Sequence, residues 1–139
     1  MRVYVDSSAL IKRAVHERES DALDTELDRY ISDDAVLVSS SLAWIEVSRA
    51  LSSRLHDVGP SREEAHGAIS AALSGVAECP IGDEVVALAR RIAPPVLRTL
   101  DAVHLATAML LDVDVVLTYD DRLADACRHN DLSTSAPGR

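Results

Sequence analysis

Phenylalanine is absent from this chain, and aromatic residues make up only 3% of it. A core of stacked rings is excluded, so packing falls to Leu, Val, Ile and Ala. Hydrophobic residues still reach 47%, which excludes a disordered chain. At 139 residues, a single domain spanning 1–139 with a real core is expected. Long apolar runs are also missing. Stretches such as residues 108–111 fall far short of the ~20 residues a membrane helix needs. The N-terminus carries one Arg and then a strand-like segment broken by Asp6, which does not read as a signal peptide. There are only two cysteines, Cys79 and Cys127, and they form neither a CxxC motif nor a disulfide framework. They read as core thiols in a reducing compartment, so a cytoplasmic protein with no membrane association is expected.

Positive charge is scarce. Lys and Arg number 14 against 23 Asp and Glu, a formal net charge of −9. That argues against a general nucleic-acid binder, which carries a basic surface. It leaves room for an enzyme that meets nucleic acid through metal ions, because the metal neutralises the site and attracts phosphate. It also suits a basic protein partner.

What the chain does contain is strands alternating with helices. Residues 2–5 are β-branched and alternate, as a strand does. Ser7 and Ser8 offer an N-cap for a short helix over 9–15. Leu23, Leu27, Tyr30 and Ile31 recur at helical spacing over 20–31. A second strand is expected over 35–38, followed by a long helix over 42–56 capped from Ser39 to Ser41. Gly59 and Pro60 break the chain, and Ser61 begins a helix with Glu63 and Glu64 in its first turn. A short strand is expected within 75–82, and then a helix capped by Asp83, running to Ile92 and stopped by Pro94 and Pro95. Asp101 opens a helix through Leu111 that is apolar nearly all round, hence buried. Residues 115–119 read as a strand covered on both faces, 121–129 as a helix and 132–136 as a last strand. The alternation predicts an α/β sandwich with a mainly parallel sheet.

Four hydrophobic runs end on a carboxylate: RVYVD at Asp6, SLAWIE at Glu46, LRTLD at Asp101 and VVLTYD at Asp120. A carboxylate beside buried apolar residues costs free energy unless it is paired or binds a metal. Oxygen donors of this kind suit Mg²⁺ or Mn²⁺ rather than zinc. Ligands of open parallel sheets sit beyond the carboxyl ends of the strands, where Asp6 and Asp120 belong. Each residue also has a plain explanation. Asp6 and Asp101 suit helix caps, Glu46 suits an i+3 pair with Arg49, and Asp120 suits a turn before Asp121.

VDSSAL at 5–10, SLAWIEVSRAL at 41–51, LDAVHLATA at 100–108 and LTYDDRLADA at 117–126 resemble, in this order, the PIN-domain ribonucleases. The likeness is greatest to the VapC toxins of bacterial and archaeal toxin–antitoxin pairs. It implies a three-layer α/β/α sandwich and Mg²⁺- or Mn²⁺-dependent cleavage of a single-stranded RNA substrate. It also implies a homodimer and a cognate antitoxin. Carried over by motif, the metal ligands and catalytic residues are Asp6, Glu46, Asp101 and Asp120. Asp6 and Asp101 are central, while Glu46 and Asp120 complete the shell directly or through water. Asp121 could exchange roles with Asp120.

Two other functions compete. A phosphatase or phosphotransferase with an Asp nucleophile would want a second Asp two residues after Asp6, where Ser8 stands. A non-catalytic PIN-like binding module would not need all four acids. Among lesser features, His104 reads as a satisfied core histidine, with a phosphate or supporting contact as the alternative. His16, His56, His66 and His129 read as surface residues. Ser7 and Thr118 have hydroxyls near the expected site. Arg13, Arg98 and Arg122 are either phosphate contacts or solvated charges. Trp44, Val47 and Leu51 form a core stripe, or alternatively a groove for a partner helix.

Overall fold

The structure, a computed structural model, describes residues 1–56 and 61–139. The break expected at Gly59 and Pro60 lies outside the described residues. The strands are β1 (Arg2–Val5), β2 (Val36–Ser40), β3 (Val76–Cys79), β4 (Val115–Leu117) and β5 (Thr134–Ser135). The helices are α1 (Ser7–Ala14), α2 (Ser20–Ser32), α3 (Ser41–His56), α4 (Arg62–Leu73), α5 (Asp83–Ala89), α6 (Thr99–Leu110) and α7 (Asp121–His129).

All described strands are parallel, in the order β3-β2-β1-β4-β5. Successive strand residues point to opposite faces, and this chain uses both. Val3, Val5, Leu37, Val115 and Leu117 pack with α1, α2, α3 and α4 on one face. Tyr4, Val38 and Val116 pack with α5, α6 and α7 on the other. The result is the expected three-layer α/β/α sandwich.

The chain winds outward from β1 to β2 and β3, then crosses back so that β4 pairs with the other side of β1. At such a reversal the loops at the strands' carboxyl ends splay apart and leave a crevice. Val5 pairs with Leu117 across it, and the Asp6 N–H donates to the Leu117 carbonyl at 3.0 Å. Asp6 therefore leaves the sheet in the crevice, with the chain that carries Asp120 beside it.

Helix boundaries differ locally from expectation. Helix α1 begins at Ser7 with Asp6 in the capping position, and the Asp6 side chain makes no cap bond. Asp83 is the first residue of α5 rather than its cap, and that helix stops at Ala89. Helix α6 begins at Thr99, which places Asp101 in its first turn. Strand β4 ends at Leu117, and β5 is limited to Thr134–Ser135. Ile31 points out of the core, 52% exposed. Val47 and Leu51 are fully buried and Trp44 packs against the same cluster, so that stripe belongs to the core. Cys127 is buried but Cys79 is only half-buried, because β3 is an edge strand.

Candidate active site

Asp6 is 3% exposed, and an ionised carboxylate there must be supplied with donors. Its Oδ2 accepts from the Ser8 and Thr118 hydroxyls, both at 2.8 Å. Its Oδ1 lies 3.3 Å from the Ser7 hydroxyl and 3.5 Å from His104 Nε2. The serines expected to cap α1 are thus turned onto Asp6. Ser8 Oγ also accepts from the Tyr119 N–H at 2.9 Å, and Thr118 Oγ1 from the Asp120 N–H at 3.1 Å. The two hydroxyls tie the end of β1 to the segment after β4.

Glu46 lies in the second turn of α3. Its Oε1 accepts from the Ser7 hydroxyl at 3.3 Å and meets His104 Nε2 at 2.5 Å, so its partner is His104 rather than Arg49. Asp120 does serve as a cap: its Oδ1 accepts the N–H groups of Arg122 and Leu123 at the start of α7. Asp121 points elsewhere, accepting from Arg139 Nη1 at 3.0 Å.

Asp101 draws these residues into one electrostatic unit. Its carboxyl is raised above the usual range, first by burial and then by the charges of Asp120, Asp6 and Glu46, with His104 opposing them. Burial pulls the His104 pKa down, but the Glu46 hydrogen bond and the charges of Asp6, Glu46 and Asp101 outweigh it, and the net shift is upward. Asp6 and Glu46 thus meet at His104, and the charges of Asp6, Glu46 and Asp120 are felt at Asp101. Among the described residues, no three His, Cys, Asp or Glu side chains form a ready-made metal cluster. Asp6 is occupied by hydroxyls and Glu46 by His104. The donor set itself is all oxygen and carries more negative charge than His104 offsets, which fits a hard divalent cation.

His104 is buried as a core histidine should be, yet its partners are the acids of the site. Sequence reasoning missed Tyr4, whose Oη lies 2.6 Å from His104 Nδ1 and accepts the Ser40 N–H at 3.2 Å. The only signal was Tyr4's place on β1, facing away from Val3 and Val5. Arg13 is not a solvated charge: its Nη1 donates to the carbonyls of Ala72 and Ser74 at the end of α4. Arg98 and Arg122 line a cleft of about 470 Å³ with Asp101 and His129. The four outlying histidines are exposed, as expected.

The PIN domain family pattern matches residues 3–129. This chain belongs to the PIN-domain family. Its relatives place it among the VapC proteins of that family. This PIN domain is 44% identical over 137 residues to Ribonuclease VapC46 of Mycobacterium tuberculosis, with 97% of each chain covered. It is 32% identical over 138 residues to Ribonuclease VapC47 of the same species, covering 98% of this chain and 97% of that one. Among solved structures it resembles VapBC2 of Rickettsia felis bound to a promoter DNA fragment. The TM-score is 0.75 at 11% identity, over 97% of this chain and 98% of that one. It also resembles VapC20 of Mycobacterium tuberculosis, a toxin that cleaves the sarcin-ricin loop, with TM-score 0.66 at 15% identity over 89% and 94%. At those identities the structural likeness is one of fold. No described helix of the PIN domain is long and apolar enough to cross a membrane.

Proposed function

We propose that this chain is a metal-dependent endoribonuclease that cuts single-stranded RNA, and that it serves as the toxin of a toxin–antitoxin pair. The observation that carries the reading is at the crevice between β1 and β4, where Asp6 and Glu46 both meet His104 and Asp101 lies in the field of Asp6, Glu46 and Asp120. The names of its relatives VapC46 and VapC47 support the ribonuclease part. Asp6 and Asp101 hold Mg²⁺ or Mn²⁺, with Glu46 and Asp120 completing the shell directly or through water. Few direct protein ligands are needed, because Mg²⁺ retains several waters. The bound ion supplies a polarised phosphate and a water of lowered pKa.

The protein's own part is positioning. The Ser8 and Thr118 hydroxyls hold and aim the Asp6 carboxylate. The bonds of Asp120 to the start of α7 fix its Oδ1. Arg98 and Arg122 flank Asp101 in the adjoining cleft, where they can take the RNA backbone on either side of the cut. Ser8 is bonded to Asp6 where an Asp-nucleophile phosphatase would place its second acid, which speaks against that chemistry. RNA as substrate makes the cytoplasm the place of action. An acidic site on a chain of charge −9 favours an antitoxin that inserts Arg or Lys among the carboxylates. The toxin is proposed to act as a homodimer.

The test is cleavage of a labelled single-stranded RNA by the purified protein. Activity with Mg²⁺ or Mn²⁺ and none in EDTA is expected. Undiminished cleavage in EDTA, or hydrolysis of small phosphate esters without cleavage of RNA, refutes the reading. Light scattering that finds a monomer at micromolar concentration counts against the dimer.

A further inference from the structure

His104 is 2% exposed, sits on the inward face of α6 and touches the acidic site through one nitrogen only. Its other nitrogen faces Tyr4, itself fully buried on β1, and the two rings meet edge to face at 5.9 Å and 80°. We propose that His104 is a positioning residue: held by Tyr4, it donates its Nε2–H to Oε1 of Glu46 and thereby leaves Oε2 as the oxygen that meets a metal. This rests on the reading of Glu46 as a metal ligand.

The proton placement follows from counting donors and acceptors. Ionised Glu46 can only accept, so the hydrogen in its 2.5 Å contact with His104 sits on Nε2. With a neutral ring, Nδ1 is an acceptor, and among the described residues the group facing it is the Tyr4 hydroxyl at 2.6 Å. Tyr4 Oη can give its proton to Nδ1 while still accepting the Ser40 N–H at 3.2 Å. With a charged ring, Nδ1–H donates to the same Tyr4 oxygen. The Nε2–H···Glu46 bond is common to both charge states, so the arrangement does not depend on which one prevails. Among the described residues, no buried side-chain nitrogen or oxygen lacks a partner.

The consequence for Glu46 is directional. Its side chain is 28% exposed and, unheld, would sample several rotamers. His104 and the Ser7 hydroxyl both engage Oε1. Groups that orient a ligating carboxylate or imidazole in this way typically govern about 10- to 100-fold in metal affinity.

The experiment is calorimetric titration of Mn²⁺ into the full chain as wild type, His104→Leu, His104→Gln and Tyr4→Phe, with melting temperatures recorded without metal. His104→Leu is expected to weaken Mn²⁺ binding about 10-fold or more. His104→Gln should recover most of that loss, because its amide nitrogen reaches the place of Nε2 and donates. A purely structural role would instead make affinity follow melting temperature and leave Gln no better than Leu. Nitrogen-15 spectra of the metal-free wild type should show a proton on His104 Nε2. Wild-type binding with His104→Leu unchanged overturns the proposal alone, as does a ring protonated only on Nδ1. No Mn²⁺ binding by the wild type overturns the ligand reading and this proposal with it. If His104→Leu does not fold, Tyr4→Phe, which removes one hydroxyl, decides: a several-fold loss of affinity supports the proposal and an unchanged affinity overturns it.

Discussion

Replacing Asp101 by Asn should have opposite effects with and without a divalent cation. In the folded chain its carboxyl is raised, by burial first and by Asp120 and Asp6 next. A raised acid is more costly to ionise folded than unfolded. That cost is absent below the unfolded value near 4, grows as pH rises through the folded value, and is complete at neutral pH. Asparagine has the same size and no charge, and Asp101 does not cap its own helix. The metal-free variant should therefore melt above the wild type at pH 7, and the difference should vanish near pH 3. With Mn²⁺ the order reverses. At a metal concentration of about 100 times Kd, wild type gains roughly 2.7 kcal/mol. For a chain of this length that is about 10 °C in Tm. If the loss of Asp101 weakens binding about 100-fold, the gain at the same concentration falls to about 0.4 kcal/mol, a degree or two. Scanning calorimetry of both proteins at two pH values, with and without Mn²⁺, measures every term. Equal metal-induced shifts would show that Asp101 is not a ligand.

Thr118→Val removes a buried hydroxyl that bonds Asp6 at 2.8 Å and the Asp120 N–H at 3.1 Å. Urea denaturation should show a loss of about 1–3 kcal/mol, and a neutral result would contradict the place given to this hydroxyl. Asp120→Asn should lower RNA cleavage about tenfold or more, while Asp121→Asn, whose carboxylate is bonded to Arg139, should stay within about threefold of wild type. The reverse order would move the fourth ligand to Asp121. Glu17 is held below its usual range, first by its bond to Lys12 and then by Arg54. Its stabilisation is present above the unfolded value and is lost as pH falls through the lower folded value. Because these side chains are partly exposed, Glu17→Gln should cost only about 0.5–1 kcal/mol at pH 7 and nothing near pH 2, as measured by thermal melts across that range.

The layers were legible because strand and helix periods are local. Val3 and Val5 against Tyr4, and the apolar α6, announce which faces are covered. The four candidate carboxylates stood out for the same reason, each closing an apolar run. Their partners were not. Ser7 and Ser8 look like caps until the register of Val5 with Leu117 brings Thr118 beside Asp6, and that pairing joins residues 112 apart. His104 looks like any buried histidine, since nothing local links residues 4, 46 and 104. Asp120 looked like a choice between a turn residue and a ligand, yet its side chain caps α7 and its charge still reaches Asp101. Cys79 was misjudged because a short strand does not reveal whether it lies at the sheet's edge.

The central place of β1 also orders events during synthesis. Of the described strands this one is made before the others, yet one of its two neighbours, β4, is made after β2 and β3. At about 5–20 residues per second, Thr118 follows Asp6 by roughly 6–20 s. Through about half of that interval the nascent chain holds Asp6 and Glu46 but neither Asp101 nor Asp120. On the proposed reading, the site is therefore not assembled until residue 120 has emerged.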